Sequence, residues 1–147
     1  MQMAKIQYRL KVYPAGLGHK VYRNLEICGQ DTLDQLCDAV LEAFAFSKEH
    51  LYEFCMNNQM YQDDNYQSDP GDGGPSTAEA IGSLGLHKGQ NFSLHYDFGD
   101  DWMFTIHVMQ ISETDAYHSP VIIKAKGEIE QYPDYGEEWD EEDWEED

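Results

Sequence analysis

Residues 4–13 alternate between apolar and polar: Ile6, Tyr8, Leu10 and Val12 fall in one phase, Lys5, Gln7, Arg9 and Lys11 in the other. A period of two marks a half-buried β-strand. Residues 14–18 (PAGLG) punctuate it as a turn, and 19–28 predicts a returning strand with Val21, Arg23, Leu25 and Ile27 in phase. The period then changes. Asp31 or Thr32 can cap a helix, Thr32 and Gln35 have capping-box spacing, and Leu33, Leu36/Cys37, Val40 and Phe44 form an apolar stripe ending near Phe46. Residues 50–61 predict a third strand, 62–76 a long polar loop, 78–86 a short helical turn and 87–89 a tight turn. The clearest hairpin follows. Phe92, Leu94, Tyr96 and Phe98 share one face, Gly99-Asp100-Asp101 turns, and Trp102, Phe104, Ile106 and Val108 share the return face. Residues 120–125 predict a last edge strand.

The order β-β-α-β-(short helix)-β-β plus an edge strand predicts an α+β fold. The expected layout is a β-grasp (ubiquitin-like) one, with a mostly antiparallel or mixed sheet and one main helix packed across it. One domain is expected over 1–127. Residues 128–147 hold twelve acids and no Lys or Arg, and are expected to form a disordered acidic tail.

Charge narrows the partners. With 9 Lys+Arg against 29 Asp+Glu, the formal net charge is −20, which argues against a direct grip on nucleic-acid phosphates or an anionic membrane. Three cysteines, Cys28, Cys37 and Cys55, make an odd count without a CxxC pair, and the first residues contain no apolar leader core. Reduced thiols in a cytoplasmic protein are the expectation.

The densest polar cluster surrounds the hairpin. If its aromatics point inward, His95 and Asp97 point outward, and a tight turn brings His95 toward His107, roughly 5–7 Å apart at Cβ. Two imidazoles and a carboxylate make His95, Asp97 and His107 a candidate site for Zn²⁺ or another divalent ion. The loop acids Asp63, Asp64, Asn65, Asp69 and Asp72 invite a calcium reading, but the EF-hand spacing fails: counting from Asp63, the sixth residue is Ser68 rather than Gly. Asp97-Phe98-Gly99 and Gly99-Asp100-Asp101 spell kinase and polymerase triplets without the rest of either signature. The cysteines lack a local base, and no GxSxG, Walker or GxGxxG run occurs. No catalytic residue and no cofactor is assigned.

Taken together, Tyr8-x-Leu10-x-Val12, Thr32-Leu33-x-x-Leu36, Ala43-Phe44, His50-Leu51-Tyr52-Glu53-Phe54 and, above all, Tyr96-Asp97-Phe98-Gly99-Asp100-Asp101-Trp102 carry a resemblance. The chain resembles the plasmid pRiA4b ORF-3-like family. Gly127-Glu128 and Gln131-Tyr132-Pro133-Asp134 look like that family's C-terminal segment. The chain departs from it at Tyr52 and Phe104, where many members carry His. The resemblance implies an association with mobile elements and little about activity. Nothing here resembles a recombinase active site, so the resolvase-like label of some members is not carried over.

The expected function is a non-enzymatic protein-binding module, with Tyr96, Asp97, Asp100, Asp101, Trp102, Trp139 and Trp144 as its contact residues. The partner is a protein, including one with a basic nucleic-acid-binding groove. One alternative is an acidic mimic of DNA that inhibits a nucleic-acid-binding protein, of anti-restriction or anti-CRISPR type. The other is a metal-dependent enzyme at the hairpin.

Overall fold

A computed structural model of the chain describes residues 5–71 and 73–132. The alternating N-terminal run forms β1 (Lys5–Pro14), which pairs antiparallel with β2 (Tyr22–Cys28) in the register Leu10↔Leu25 and Tyr8↔Ile27. Apolar positions of both strands are thereby stacked on one face.

Helix α1 (Leu33–Ala43) starts on a complete capping box. The Gln35 N–H donates to Thr32 Oγ1 at 3.2 Å, and the Thr32 N–H donates to Gln35 Oε1 at 2.8 Å, so two orphan donors are satisfied reciprocally. The helix ends in a Schellman arrangement: Phe46 N–H donates to Leu41 O at 2.8 Å, and Ala45 N–H to Glu42 O at 3.2 Å. Ala45 occupies the left-handed position that motif requires, at φ +60°.

The chain then forms β3 (Tyr52–Cys55), β4 (Tyr66–Gln67), a 3-10 turn at Ile81–Ser83, β5 (Asn91–Tyr96), β6 (Trp102–Thr114) and β7 (Val121–Lys126). The seven strands of the described residues join one sheet in the order β4-β3-β5-β6-β1-β2-β7, and neighbouring strands are antiparallel throughout. Tyr8, Leu10, Val12, Leu25, Ile27, Phe54, Phe92, Leu94, Tyr96, Phe104, Ile106 and Val108 share one core with Leu33, Leu36, Val40 and Leu41 of α1.

The ubiquitin-like β-grasp expectation is overturned. A β-grasp sheet is mixed, whereas here β1 lies between β2 and β6 and runs antiparallel to both. The chain leaving α1 (11 residues) does not enter a neighbour of β1; it runs to β3, near the far end of a seven-stranded sheet. Element order alone leaves this choice open, because order does not say which strands are neighbours. The third strand is also shorter than expected, since residues 56–65 leave the sheet as a loop. Residues 128–132 pack back onto the domain: Ile129 meets the core, and Gln131 Oε1 accepts from the Ser47 N–H at 2.7 Å.

Candidate functional site

The β5–β6 hairpin pairs Tyr96 with Trp102 and His95 with Met103, leaving Asp97–Asp101 as the turn. Asp97 and Asp101 both take left-handed backbone, at φ +69° and +54°, which Asp tolerates better than most residues. The Asp97 carboxylate holds the turn from inside, with Oδ1 accepting from the N–H groups of Gly99 at 3.0 Å and Asp100 at 3.3 Å. Its own N–H donates to Leu51 O at 2.9 Å.

Alternation along β5 sends Phe92, Leu94 and Tyr96 into the core and Ser93 and His95 to the opposite face. That face is not open over β3 and β5, because the 56–65 loop folds over it. His95 is 0% exposed. Its Nδ1 lies 2.7 Å from Glu53 Oε2 and its Nε2 2.6 Å from Asp101 Oδ1, with the rings of Tyr61 and Phe98 at 5.1 and 4.9 Å. Glu53, also 0% exposed, accepts further from the Tyr61 N–H (2.8 Å), Asn65 Nδ2 (3.0 Å) and Gln67 Nε2 (2.7 Å). Burial pushes the Glu53 carboxyl up, but hydrogen bonds from His95, the Tyr61 backbone and Asn65 outweigh it and hold the group below the usual carboxylate range.

Each ring nitrogen of His95 is thus engaged by a carboxylate oxygen, one from β3 and one from the turn, and the ring ties the turn to β3. Among the described residues no group of three His, Cys, Asp or Glu side chains is arranged to hold a metal ion. The structure does not bring His95, Asp97 and His107 together. His107 stands opposite Asn91, with Nδ1 2.6 Å from Asn91 Oδ1. The four-residue offset between Asn91 and His95 along β5 separates the two histidines by about 13 Å. Asp97 turns instead toward His50, whose Nε2 lies 3.5 Å from Asp97 Oδ2 and 2.7 Å from the Tyr132 hydroxyl.

The contact residues expected from sequence divide. Tyr96 is fully buried, its hydroxyl accepting from the His50 N–H at 3.2 Å, and Asp97 is buried beneath the turn. Asp100 and Asp101 are exposed. Trp102 is half-buried, packed on Phe46 at 4.9 Å and Phe104 at 6.0 Å. Trp139 and Trp144 lie outside the described residues. With Pro14, Leu17 and Met103, the accessible members Asp100, Asp101 and Trp102 border a cleft of about 360 Å³. A cleft of about 480 Å³ beside Tyr61 and Gln67 carries Asp63 and Asp69.

Sequence reasoning missed Glu53, Tyr61 and Asn65 as partners of His95. The available signal was an acid placed between Tyr52 and Phe54 in a strand. The two departures from the family pattern are structural. The Tyr52 hydroxyl donates to Asp34 Oδ1 at 2.6 Å, and Phe104 is buried against Phe44 and Phe46.

A family model described as plasmid pRiA4b ORF-3-like protein matches residues 6–142. The chain is also similar to a crystal structure of a protein of unknown function from Methanosarcina mazei Go1. That match has a TM-score of 0.67 and 21% identity, and covers 84% of this chain and 70% of that one; at this identity the likeness shows the fold alone. No curated protein matches the chain. No helix among the described residues is long and apolar enough to cross a membrane.

Proposed function

The chain belongs to the plasmid pRiA4b ORF-3-like family, and from the geometry of its hairpin turn we propose that it is a non-enzymatic protein-binding module. Its site is the cleft between the β1–β2 turn and the β5–β6 turn, where it takes a basic side chain of a partner protein. The observation that carries this reading is the cleft itself, which sets the indole of Trp102 and the apolar Leu17 beside the carboxylates of Asp100 and Asp101. An aliphatic stem with a cationic head fits such a surface, through cation–π contact and charge-assisted hydrogen bonds. Asp100 makes no side-chain ion pair among the described residues. The turn presenting it is held from two sides, by the Asp97 carboxylate and by His95, and such preorganisation lowers the entropic cost of binding. The mutual satisfaction of Glu53, His95 and Asp101 supports a positioning role for that cluster. Three unpaired, buried thiols favour a cytoplasmic setting.

Anisotropy titration of a labelled Arg-containing peptide, Ac-AARAARAA-NH2, tests the proposal. Asp100→Lys is expected to weaken binding at least tenfold, while Asp63→Lys, with the same charge change elsewhere, leaves it within twofold. Equal losses in both variants overturn the site, since they report only net charge. Loss of binding on truncation after Tyr132 moves the activity to the acidic residues beyond it and favours the nucleic-acid-mimic alternative.

A further inference from the structure

The sheet face opposite the core is roofed over β3 and β5, whereas over β1 and β2 its residues are half-buried and β7 is exposed along its whole length. The register on this side sets Arg9 opposite Glu26, Lys11 and Lys124 on either side of Asn24, and Lys126 opposite Tyr22. Arg9 is ion-paired with Glu26 at 2.6 Å. Lys11 and Lys124 instead hold their ammonium groups 4.7 and 5.8 Å from the centre of the Tyr22 ring, and Lys126 Nζ donates to His19 O at 2.8 Å. None of these three lysines forms a salt bridge among the described residues, in a chain with 29 acids and 9 bases. With acids in such excess, a face whose lysines have no ion-pair partner among the described residues is the exception, and it favours an anionic partner.

The same face ends at an unpaired strand. β7 is the last of the sheet order, so its outer N–H and C=O groups have no strand partner among the described residues. Val121, Ile122 and Ile123 on it are 45%, 38% and 43% exposed. This six-residue edge, bulged between Ile122 and Lys124, leaves apolar side chains and backbone groups exposed for strand addition on either side of the bulge. Ile122 stands opposite the core residue Leu25, whereas Lys124 and Lys126 stand opposite Asn24 and Tyr22 of the other face. An added strand therefore meets lysines on one side and an isoleucine on the other.

We propose that the outer edge of β7, with the lysines of this sheet face beside it, docks an extended acidic segment of a partner polypeptide. The segment adds as an antiparallel strand, its acidic side chains facing Lys124 and Lys126 and its apolar ones facing Ile122. Single-stranded nucleic acid is the poorer occupant. The Tyr22 ring is engaged by the Lys11 and Lys124 ammonium groups, and the Tyr13 ring by Lys11 at 5.4 Å and by Gly18 packed against it, so a base would have to compete for both rings. A second copy of the chain would bring its own lysines to the edge. The site shares no residue with the turn cleft and stands or falls independently of it.

The test titrates the full chain with labelled Ac-(Glu-Val)4-NH2, with the same peptide N-methylated at alternate amides, and with a fifteen-residue oligo-dT. Binding of the plain peptide is expected, weakened at least tenfold by Lys124→Glu/Lys126→Glu and at least tenfold by N-methylation, with oligo-dT weaker than the plain peptide. Thermal unfolding checks that the variant is folded, and the N-methylated arm on the unaltered chain decides the question if it is not. No binding of the plain peptide, equal binding by a folded variant, equal binding of the N-methylated peptide, or tighter binding of oligo-dT each overturns the proposal.

Discussion

Glu53 and His95 stand opposite each other in the β3–β5 register, both fully buried, with Glu53 Oε2 2.7 Å from His95 Nδ1. A buried carboxylate is tolerable only when its charge is met, and here His95, Asn65, Gln67 and the Tyr61 N–H meet it together. Removing one partner of such a group leaves the others buried and unpaired. Glu53→Ala is therefore expected to cost about 3–5 kcal/mol in denaturant unfolding, and to loosen the Asp97–Asp101 turn, which leans on the same histidine.

The same pair sets an acid limit on stability. The folded-state pKa of Glu53 is held below its ordinary value, so the folded state binds the proton less readily than the unfolded chain does. Its contribution is fully present above the unfolded carboxylate range, near about pH 4.3, and is lost as pH falls through the depressed folded value. Glu53→Gln is expected to unfold with a flatter dependence on pH below about pH 5 than the unaltered chain. Melting curves collected between neutral and acid pH read this directly, and identical slopes would remove Glu53 from the account.

Two residues at nearly the same backbone angle give opposite predictions. Ala45 at φ +60° carries a Cβ in a region where L-residues are strained, so Ala45→Gly is expected to stabilise by about 0.5–1 kcal/mol. Gly127 at φ +69° has Lys20 O only 2.3 Å from where a Cβ would stand. Gly127→Ala is expected to lower the melting temperature and to weaken protection of residues 128–132 from amide exchange.

The hairpin aromatics separate by burial. Phe104 is 0% exposed and stacked at 5.3 Å on Phe44, and its truncation to Ala is expected to cost about 3–5 kcal/mol. Trp102 is half-buried, and Trp102→Ala is expected to cost less, about 2 kcal/mol. Equilibrium unfolding of the two variants ranks them, and the reverse order would mean that the turn cleft contributes more to stability than the core beneath it.

Period-two and period-3.6 patterns made the β1–β2 hairpin, the capped helix and the β5–β6 hairpin legible in the chain, because each is a local decision between neighbouring residues. Sheet order was not legible. The β1–β6 pairing joins Leu10 to Val108 and Val12 to Ile106, and nothing within either strand names the other. The site failed for a related reason. His95 falls in the outward phase of β5, and alternation alone says it is wet; only the 56–65 loop, folding Tyr61 over it, makes that position interior. The exposure of Asp100 and Asp101 is a local property of the turn, whereas Trp102, which alternation places inward with Phe104, is left half-buried against Phe46.

The three thiols provide a last check on the core. Cys28, Cys37 and Cys55 are unpaired and fully buried. Burial, with the nearby Glu53 charge adding to it, pushes the Cys55 thiol up to about 12, and burial with Asp38 and Asp34 raises Cys37 further still. Because the thiolate is the reactive form, neither group supplies a nucleophile near neutral pH while the chain is folded. Ellman's reagent at pH 8 is expected to titrate these thiols only as fast as the protein opens, and all three at once in denaturant. Fast labelling of Cys55 in the native state would show that Glu53 and Asn65, its neighbours beneath the loop, are open to water, and the buried cluster that steadies the turn would not exist.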